Sequence, residues 1–187
     1  DPLWEKYYSL TPYQYAGNNP VSFLDVNGKY AIFSEGTSNF LLSQFFEAVN
    51  YLKVNNAGEN ISFLVENSVV PVNIEISTSI LDVAYLPESN TIFWCPQSGL
   101  ITPDGEYQTP ANALEHEAGH KTEDLYNPSE FEKNNNTNDM IYGTTEERRN
   151  INEVETPTSK KLGEGTRENH SGIPYRTIGF RVGCSVY

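Results

Sequence analysis

The sequence lacks several features that would place it in common functional classes. No hydrophobic run approaches the ~18 residues that a membrane-spanning helix needs, and no signal peptide opens the chain. Basic residues are few: 12 Lys+Arg stand against 25 Asp+Glu, for a net charge of −13. Because such a surface repels phosphate groups, we do not expect nucleic acid as a partner, and the short hydrophobic runs predict no membrane span. Since residue 1 is Asp, we expect a part of a longer polypeptide or a processed product.

Cysteine and histidine are also scarce. Cys95 and Cys184 are too distant in sequence for a Cys-x-x-Cys site. They could pair in an oxidising compartment or serve as small buried residues, and the sequence leaves both possibilities open. Two of the three histidines fall within His116–His120. This concentration makes that stretch the first candidate for chemistry.

The stretch His116–His120 has the pattern H-E-x-x-H. Residues four apart share one face of a helix, so the two imidazoles can reach one zinc ion, and a catalytic site leaves one position to water. Glu117 is placed to take a proton from that water. Thr109 and Pro110 are expected to start the helix, and Gly119 is expected where another backbone passes close by. The alternative is a surface helix that carries these side chains without a metal.

A catalytic zinc usually has three protein ligands, so two histidines are insufficient. Glu123 and Tyr126 occupy the positions where a HExxHxxGxxH extension would place Gly and His, which excludes the metzincin type. A downstream carboxylate is therefore expected. The candidates are Glu146, Glu147, Glu153 and Glu155. Neighbouring helical residues point about 100° apart, so Glu146 and Glu147 are not both expected as ligands. A capping box between Thr144 and Glu147 would need no metal.

The coarse pattern predicts an α+β domain. Helices are expected from Thr37-Ser38 to about Val54 and from Thr156-Pro157, as N-cap and first helical residue, through Leu162 to Gly163. The asparagine-rich stretch Glu130–Asp139 is expected to be a mobile loop. Strands are expected at Tyr30–Phe33, Ile61–Val65, Val69–Ile76, Asn90–Trp94 and within Thr177–Tyr187.

Residues 1–29 differ in composition from the rest and are rich in Tyr, Asn, Pro and Gly. The order that carries a resemblance is Asp1-Pro2-Leu3, Glu5-Lys6-Tyr7, Thr11-Pro12-Tyr13, Tyr15, Asn18-Asn19-Pro20-Val21, Asp25 and Gly28. This order resembles the end of the RHS-repeat-associated core, which closes a β-rich cage and is followed by a variable toxin or effector domain. Val26 departs from that family's self-cleaving Asp-Pro-x-Gly boundary, where proline is expected.

The resemblance implies two regions: residues 1–29 as the end of the core, and residues 30–187 as its cargo. It also implies a chain that is secreted or delivered to a target cell within a larger RHS protein. The implied partners are the RHS core and a cognate immunity protein.

The downstream sequence resembles clostridial neurotoxin light chains and related secreted effector proteases. TTEERRNI, at 144–151, is similar to their E-E-x-R segment, which implies Glu147 as the third zinc ligand. Arg167 and His170 resemble the Arg-x-x-Tyr pair that stabilises the charged intermediate, with His in the place of Tyr; the alternative is a solvated loop. Tyr175 and Arg176 are the substitutes for that pair. Asn152-Glu153 resembles the Asn-Glu pair of thermolysin-like enzymes, although the rest of that motif is missing.

In the zinc proteases that this chain resembles, a strand shortly before the metal helix pairs with the extended substrate. Thr91–Trp94 is the strand in that position, and an ordinary buried strand is the alternative. Together these features predict a zincin-like metalloprotease domain with a mixed or antiparallel sheet, acting as a gluzincin-type zinc endopeptidase on a protein or peptide. A metal-dependent hydrolase of a non-protein substrate or cell-wall peptide stays open, and so does a degenerate cargo domain that only binds a partner.

Overall fold

The computed structural model describes residues 23–25, 30–66 and 71–179 and shows a mixed α+β arrangement. The strands are β1 (Phe23–Asp25), β2 (Tyr30–Phe33), β3 (Val72–Ile76), β4 (Ala84–Leu86), β5 (Thr91–Trp94), β6 (Ser98–Ile101), β7 (Tyr107–Gln108), β8 (Asn138–Asp139), β9 (Gly143–Thr144) and β10 (Ile173–Arg176). The helices are α1 (Asn39–Val54), α2 (Glu59–Glu66), α3 (Pro110–Tyr126), α4 (Pro128–Asn135), α5 (Thr145–Asn150) and α6 (Thr156–Leu162). A 3-10 turn covers Pro87–Ser89, and a π-helical turn covers Ile151–Glu155.

The main sheet has the order β1-β2-β3-β5-β4. Its inner strands β2, β3 and β5 run parallel, and β1 and β4 are antiparallel edges. The expected strand at Tyr30–Phe33 is confirmed. The strands expected at Val69–Ile76 and Asn90–Trp94 are confirmed over Val72–Ile76 and Thr91–Trp94, and residues 69–70 lie outside the described residues. The expectation that Thr91–Trp94 offers a free edge to a substrate is wrong, because β5 is paired on both sides. The edge beside α3 is β4 instead.

Helix α1 and β5 both contribute residues to the core that packs against α3. Ser38 caps α1 by accepting from the Leu41 N–H at 3.3 Å, as the sequence predicts. The Phe45 ring packs edge-on against Trp94, with ring centroids 5.9 Å apart. The Trp94 indole Nε1 donates to the Pro110 carbonyl at 2.7 Å. The sheet is thereby fixed to the first residue of α3.

The predicted strand at Ile61–Val65 is wrong, because this segment lies in α2. Ile61, Leu64 and Val65 are buried at helical spacing against the core. The start of α2 is stabilised from a distance: the buried Glu115 carboxylate accepts from the N–H groups of Asn60 and Ile61 at 2.8 and 3.0 Å. A cap supplied from 54 positions away leaves no local sequence signal, so the β-branched residues misled the prediction.

The predicted mobile loop at Glu130–Asp139 is also wrong. Residues Pro128–Asn135 form α4, which begins with a proline in its first turn and buries Phe131 against the core cluster. Asn138–Asp139 then pairs with Gly143–Thr144 as a short antiparallel ribbon. The ribbon leads directly into α5, whose N-cap is Thr144.

The chain from Thr145 to Leu162 is one continuous helical run. The prediction that Thr156 is the N-cap of a separate helix is therefore wrong. Pro157 has no N–H, and in a regular α-helix its ring would collide with the Glu153 carbonyl. The π-helical turn widens the helix there, and the Thr156 N–H bonds to the Ile151 carbonyl five residues back. Gly163, with φ of 71°, ends the helix as expected.

The strand after the loop at 163–172 lies earlier than predicted. Ile173–Arg176 forms β10 and pairs antiparallel with β6, whereas residues 177–179 form no strand. The rest of the predicted tail strand, Cys184 and residues 1–22 with most of the RHS-like order lie outside the described residues. Phe23–Asp25, from the RHS-like segment, pairs with β2. Within the described part of the chain, no helix combines the length and apolar character needed to cross a bilayer.

Candidate metal centre

Helix α3 presents both motif histidines on one buried face. Thr109 caps it by accepting from the Asn112 N–H at 3.4 Å, and Pro110 is in the first turn, as predicted. His116 and His120 are both more than nine-tenths buried. Their Nε2 atoms lie 3.2 Å apart. The i, i+4 spacing therefore brings two imidazole nitrogens to a single point.

The Glu147 carboxylate completes that point. Its Oε1 lies 3.4 Å from His120 Nε2, and its Oε2 lies 3.4 Å from His116 Nε2. Thr144 accepts from the Glu147 N–H at 3.1 Å, so half of the predicted capping box exists. The Glu147 side chain, however, turns to the histidines. Its Oε2 is buried without an aligned hydrogen-bond partner.

These three groups fit a divalent metal. Bonds of 2.0–2.1 Å at tetrahedral angles place ligand atoms about 3.3–3.4 Å apart. The 3.2 Å between the two imidazole nitrogens is close to that spacing, and each nitrogen lies 3.4 Å from a different oxygen of Glu147. Glu117 also lies within reach of the two histidines, with ligand atoms no more than 4.8 Å apart. The buried groups of His116, Glu117 and His120 could hold a metal ion.

A second carboxylate stands behind each histidine. Glu146 Oε1 lies 3.0 Å from His120 Nδ1. Glu155 Oε2 lies 2.8 Å from His116 Nδ1, although that ring nitrogen is not aligned for a hydrogen bond. Glu146 and Glu147 thus contact opposite nitrogens of His120. Carboxylates in this position orient metal-binding imidazoles and raise their basicity.

Each outer carboxylate is paired with an arginine. Arg149 Nη2 donates to Glu146 Oε1 at 2.6 Å. Arg167 donates to both oxygens of Glu155, at 2.7 and 2.6 Å. Both carboxylates are almost fully buried, so these bidentate pairs offset the cost of their charges.

The electrostatics favour charged carboxylates beside the imidazoles. Burial alone lowers the pKa of His116, but its contacts with Glu147 and Glu155 outweigh burial and raise that pKa to about 10. Burial raises the pKa of Glu147, but the contacts with His116 and His120 dominate and hold it far below its usual value. The pKa of Glu155 is likewise lowered by His116 and Arg167 against the effect of burial. The centre thus attracts positive charge.

Glu117 is held by the edge strand. Its Oε2 accepts from the Tyr85 N–H on β4 at 2.7 Å. Glu117 is mostly buried and lines two cavities. The Tyr85 N–H engages Oε2 and leaves Oε1 as the other oxygen of this carboxylate.

Of the other predicted catalytic residues, His170 and Arg167 lie at the centre, and their predicted substitutes do not. His170 lies at the centre: its Nε2 is 3.4 Å from Glu147 Oε2, and its ring is nearly parallel to His116 at 6.4 Å. Arg167 also lines a cavity there, with its guanidinium bound to Glu155. The predicted substitutes point elsewhere, because the Tyr175 hydroxyl lies 3.4 Å from the Gln108 carbonyl and Arg176 bonds to Gln97.

The other ligand candidate is solvated. Glu153 has 69 % of its side chain exposed and lies 3.8 Å from Arg149. The Asn152-Glu153 pair therefore faces away from the histidines. At Gly119 the prediction of a close backbone is wrong in detail. Side chains approach instead: an added Cβ would collide with Asn150 Oδ1 and lie 2.9 Å from Val154 Cγ2.

Two cavities of about 210 Å³ meet at the centre. They share Val83, His116, Glu117 and His170. Beyond the shared residues, the first cavity has both aliphatic and polar walls. The aliphatic residues are Ile80, Leu81, Leu100, Ala113 and Pro174, and the polar or charged residues are Ser98, Gln108, Thr109, Asn112, Glu155 and Arg167. The second lies toward α4 and includes Tyr85, Pro87, Phe131 and Asn135. An extended ligand could run from one cavity to the other along β4.

Sequence reasoning missed three contributors: Tyr85, Glu146 as an outer partner, and Glu155 as an outer partner. A signal was present for Glu146, since Glu146-Glu147 precedes Arg149 by one helical turn. No signal was present for Tyr85, because its role depends on the antiparallel edge.

Comparisons with known proteins add no information about the centre. No protein-family model matches the chain, and no curated protein or solved structure shows significant similarity to it.

Proposed function

We propose that residues 30–187 form a gluzincin-type zinc endopeptidase of zincin-like fold. The observation that carries the proposal is the buried triangle of His116 Nε2, His120 Nε2 and the Glu147 carboxylate, with ligand-like separations and an oxygen that has no aligned partner. The two imidazole nitrogens and the carboxylate converge on one point, as the ligands of a single metal ion do. Two histidines and a glutamate are the ligand set of zinc hydrolases that keep one position for water.

Bound zinc would polarise a scissile carbonyl and make water acidic enough to attack at neutral pH. Glu117 takes the proton from the attacking water on Oε1, while Tyr85 holds Oε2 in place. The same carboxyl then gives that proton to the leaving nitrogen. Glu146 and Glu155 keep the two imidazoles oriented.

His170 is proposed to stabilise the negative charge that develops on the substrate oxygen. It lies at the junction of the two cavities and is 45 % exposed, so a substrate can reach it. Burial lowers the pKa of His170, which favours a neutral ring that can still donate from one nitrogen. Arg167 adds positive charge nearby, although its bidentate pairing with Glu155 makes orientation of that carboxylate its main contribution.

The substrate is proposed to be an extended protein or peptide segment. It would lie across the centre between the two cavities, with side chains entering both of them. The RHS-like residues 1–29 support delivery of this domain as the toxin or effector cargo of a larger RHS protein. In that setting the RHS core and an immunity protein are the proposed partners.

The proposal is tested by metal analysis and by a substrate panel. Purified protein should contain about one zinc per chain, and His116→Ala or His120→Ala should remove it. Glu117→Gln should retain zinc but lose hydrolysis of protein substrates, whereas Glu123→Gln, on the same helix, should retain both. Protein that holds no zinc after zinc loading would refute the metal centre. Hydrolysis of cell-wall peptides alone would keep the centre and replace the substrate class.

A further inference from the structure

One residue of the edge strand contacts α3 with both its backbone and its side chain. The Tyr85 N–H donates to Glu117 Oε2 at 2.7 Å. The Tyr85 hydroxyl donates to Asp124 Oδ2 in a short hydrogen bond. Two different carboxylates of one helix therefore hold the two ends of this residue.

The contacts on α3 follow one face. Glu117, Lys121 and Asp124 are spaced i, i+4 and i+7, which places them along a single stripe of the helix. Lys121 Nζ lies 5.7 Å from the centre of the Tyr85 ring, and Phe131 packs edge-on against the same ring at 6.1 Å. A charged stripe on a surface helix usually faces solvent. Here it faces β4, and Tyr85 contacts all three of its members.

The hydroxyl anchor is buried enough to matter. Tyr85 has 8 % of its surface exposed, and burial together with Asp124 raises the pKa of its hydroxyl, so the phenol stays protonated and donates. On the other side β4 pairs with β5, where Tyr85 stands opposite Ile92. Since the Tyr85 N–H points to Glu117, the strand holds the carboxylate from the edge that faces away from β5.

We propose that Tyr85 is a positioning residue that fixes the orientation of Glu117, with the Tyr85–Asp124 hydrogen bond as its anchor. The inference rests on the proposed function, because it assigns Glu117 as the base. Loss of the anchor lets β4 move relative to α3, so the N–H at residue 85 no longer holds Oε2. The base then samples orientations in which Oε1 does not face the attacking water. Misplacement of a catalytic group by about 1 Å can cost up to about 100-fold in rate.

An ordinary buried tyrosine gives a different expectation. Such a residue needs a hydrogen-bond partner for its hydroxyl, and losing it lowers stability. It would not change the turnover of protein that remains folded. Measurements of kcat and of hydrogen exchange at the residue 85 amide therefore distinguish a positioning role of Tyr85 from a purely structural one.

The test compares Tyr85→Phe, Asp124→Ala and Asp124→Asn in the full zinc-loaded chain. For each variant, zinc content, kcat and KM on a cleaved protein substrate, and amide hydrogen exchange at residue 85 are measured. Tyr126→Phe is the matched control, because it removes a hydroxyl from an exposed ring on the same helix. Measurements are made well below each variant's unfolding temperature.

Tyr85→Phe and Asp124→Ala should each lower kcat about tenfold at unchanged KM and zinc content, with faster exchange at residue 85 and normal exchange across β5. Asp124→Asn retains an acceptor and should keep more of kcat than Asp124→Ala. Tyr126→Phe should behave as wild type. Unchanged exchange at residue 85, or faster exchange with unchanged kcat, would overturn the inference.

A wild-type chain that cleaves nothing would refute the proposed endopeptidase instead. In that case exchange at residue 85 still decides whether the hydroxyl anchors the contact with Glu117. If Tyr85→Phe fails to fold, the two Asp124 variants carry the same comparison.

Discussion

Replacement of Gly119 by alanine tests how closely α3 and the α5–π-turn segment must approach to form the metal centre. A Cβ at this position would collide with Asn150 Oδ1 and lie 2.9 Å from Val154 Cγ2. Asn150 is fully buried, and its Nδ2 donates to the His116 carbonyl at 2.9 Å. The substitution therefore pushes apart the two segments that carry the histidines and Glu147.

Two effects of opposite sign decide the outcome. Alanine gains about 1 kcal/mol over glycine in a helix interior. Overpacking a tight contact costs about 1–3 kcal/mol, and weakening the buried Asn150 hydrogen bond costs about 1 kcal/mol more. The net expectation is a loss of about 1–3 kcal/mol in the free energy of unfolding. For a chain of this size that loss lowers Tm by about 2–4 °C per kcal/mol.

The measurements are denaturant unfolding of metal-free protein and zinc affinity by chelator competition. Gly119→Ala should be less stable and should bind zinc at least about tenfold more weakly, because Glu147 and Glu155 move with the displaced segment. Gly119→Ala made in an Asn150→Ala background should cost less than in the wild type, because the collision partner is gone. Stabilisation by about 1 kcal/mol with unchanged zinc affinity would refute the reasoning.

Three further changes probe the centre and its support. Glu147→Ala should weaken zinc binding by about 100-fold or more, because it removes one of three protein ligands. Glu153→Ala changes a solvated side chain and should leave zinc binding unchanged. Equal effects of the two substitutions in chelator competition would contradict the ligand assignment. Glu155→Gln should lower zinc affinity about 10–100-fold without unfolding the chain, and an affinity equal to that of wild type would count against a role of Glu155 in orienting His116. Burial raises the pKa of Glu115 to about 7, so the stability it contributes is complete below about pH 4.5 and is lost as pH rises to about 7. The free energy of unfolding of wild type relative to Glu115→Gln should therefore fall by about 3 kcal/mol across that window, and a flat difference would refute it.

The parts of the fold that the sequence predicts are those governed by local rules. Ser38 and Thr109 cap their helices because short-range oxygen acceptors suffice, and the histidine pair follows from helical spacing alone. Helix α2 was not predicted, because the residue that caps it, Glu115, is distant in sequence. The π-helical turn escaped it because Pro157 is accommodated by widening the helix, whereas the local rule for proline predicts a new helix start.

The residues of the candidate site also fall into those that local rules predict and those whose position depends on the tertiary fold. His116, Glu117 and His120 belong to one helix, so their approach is a local property. Glu147 depended on how a second helix returns to the first, and the choice among four glutamates came from a resemblance. The edge strand that faces the centre is β4, which is short and follows an irregular stretch. Its position at the edge depends on the order of strands in the sheet, which local sequence propensity does not predict.

Charge balance explains why so many ionised groups surround two imidazoles. Four carboxylates, from Glu117, Glu146, Glu147 and Glu155, lie near the histidines, and two guanidinium groups, from Arg149 and Arg167, are paired with the outer two. With neutral imidazoles this leaves two negative charges in a largely buried space, which is costly unless they are compensated. A divalent cation bound there would supply that compensation and leave the centre neutral. Without one, protons on the imidazoles are the substitute, which is the physical meaning of the raised pKa of His116. Metal binding at neutral pH would then displace those protons, and the buried charge would stay balanced during the exchange.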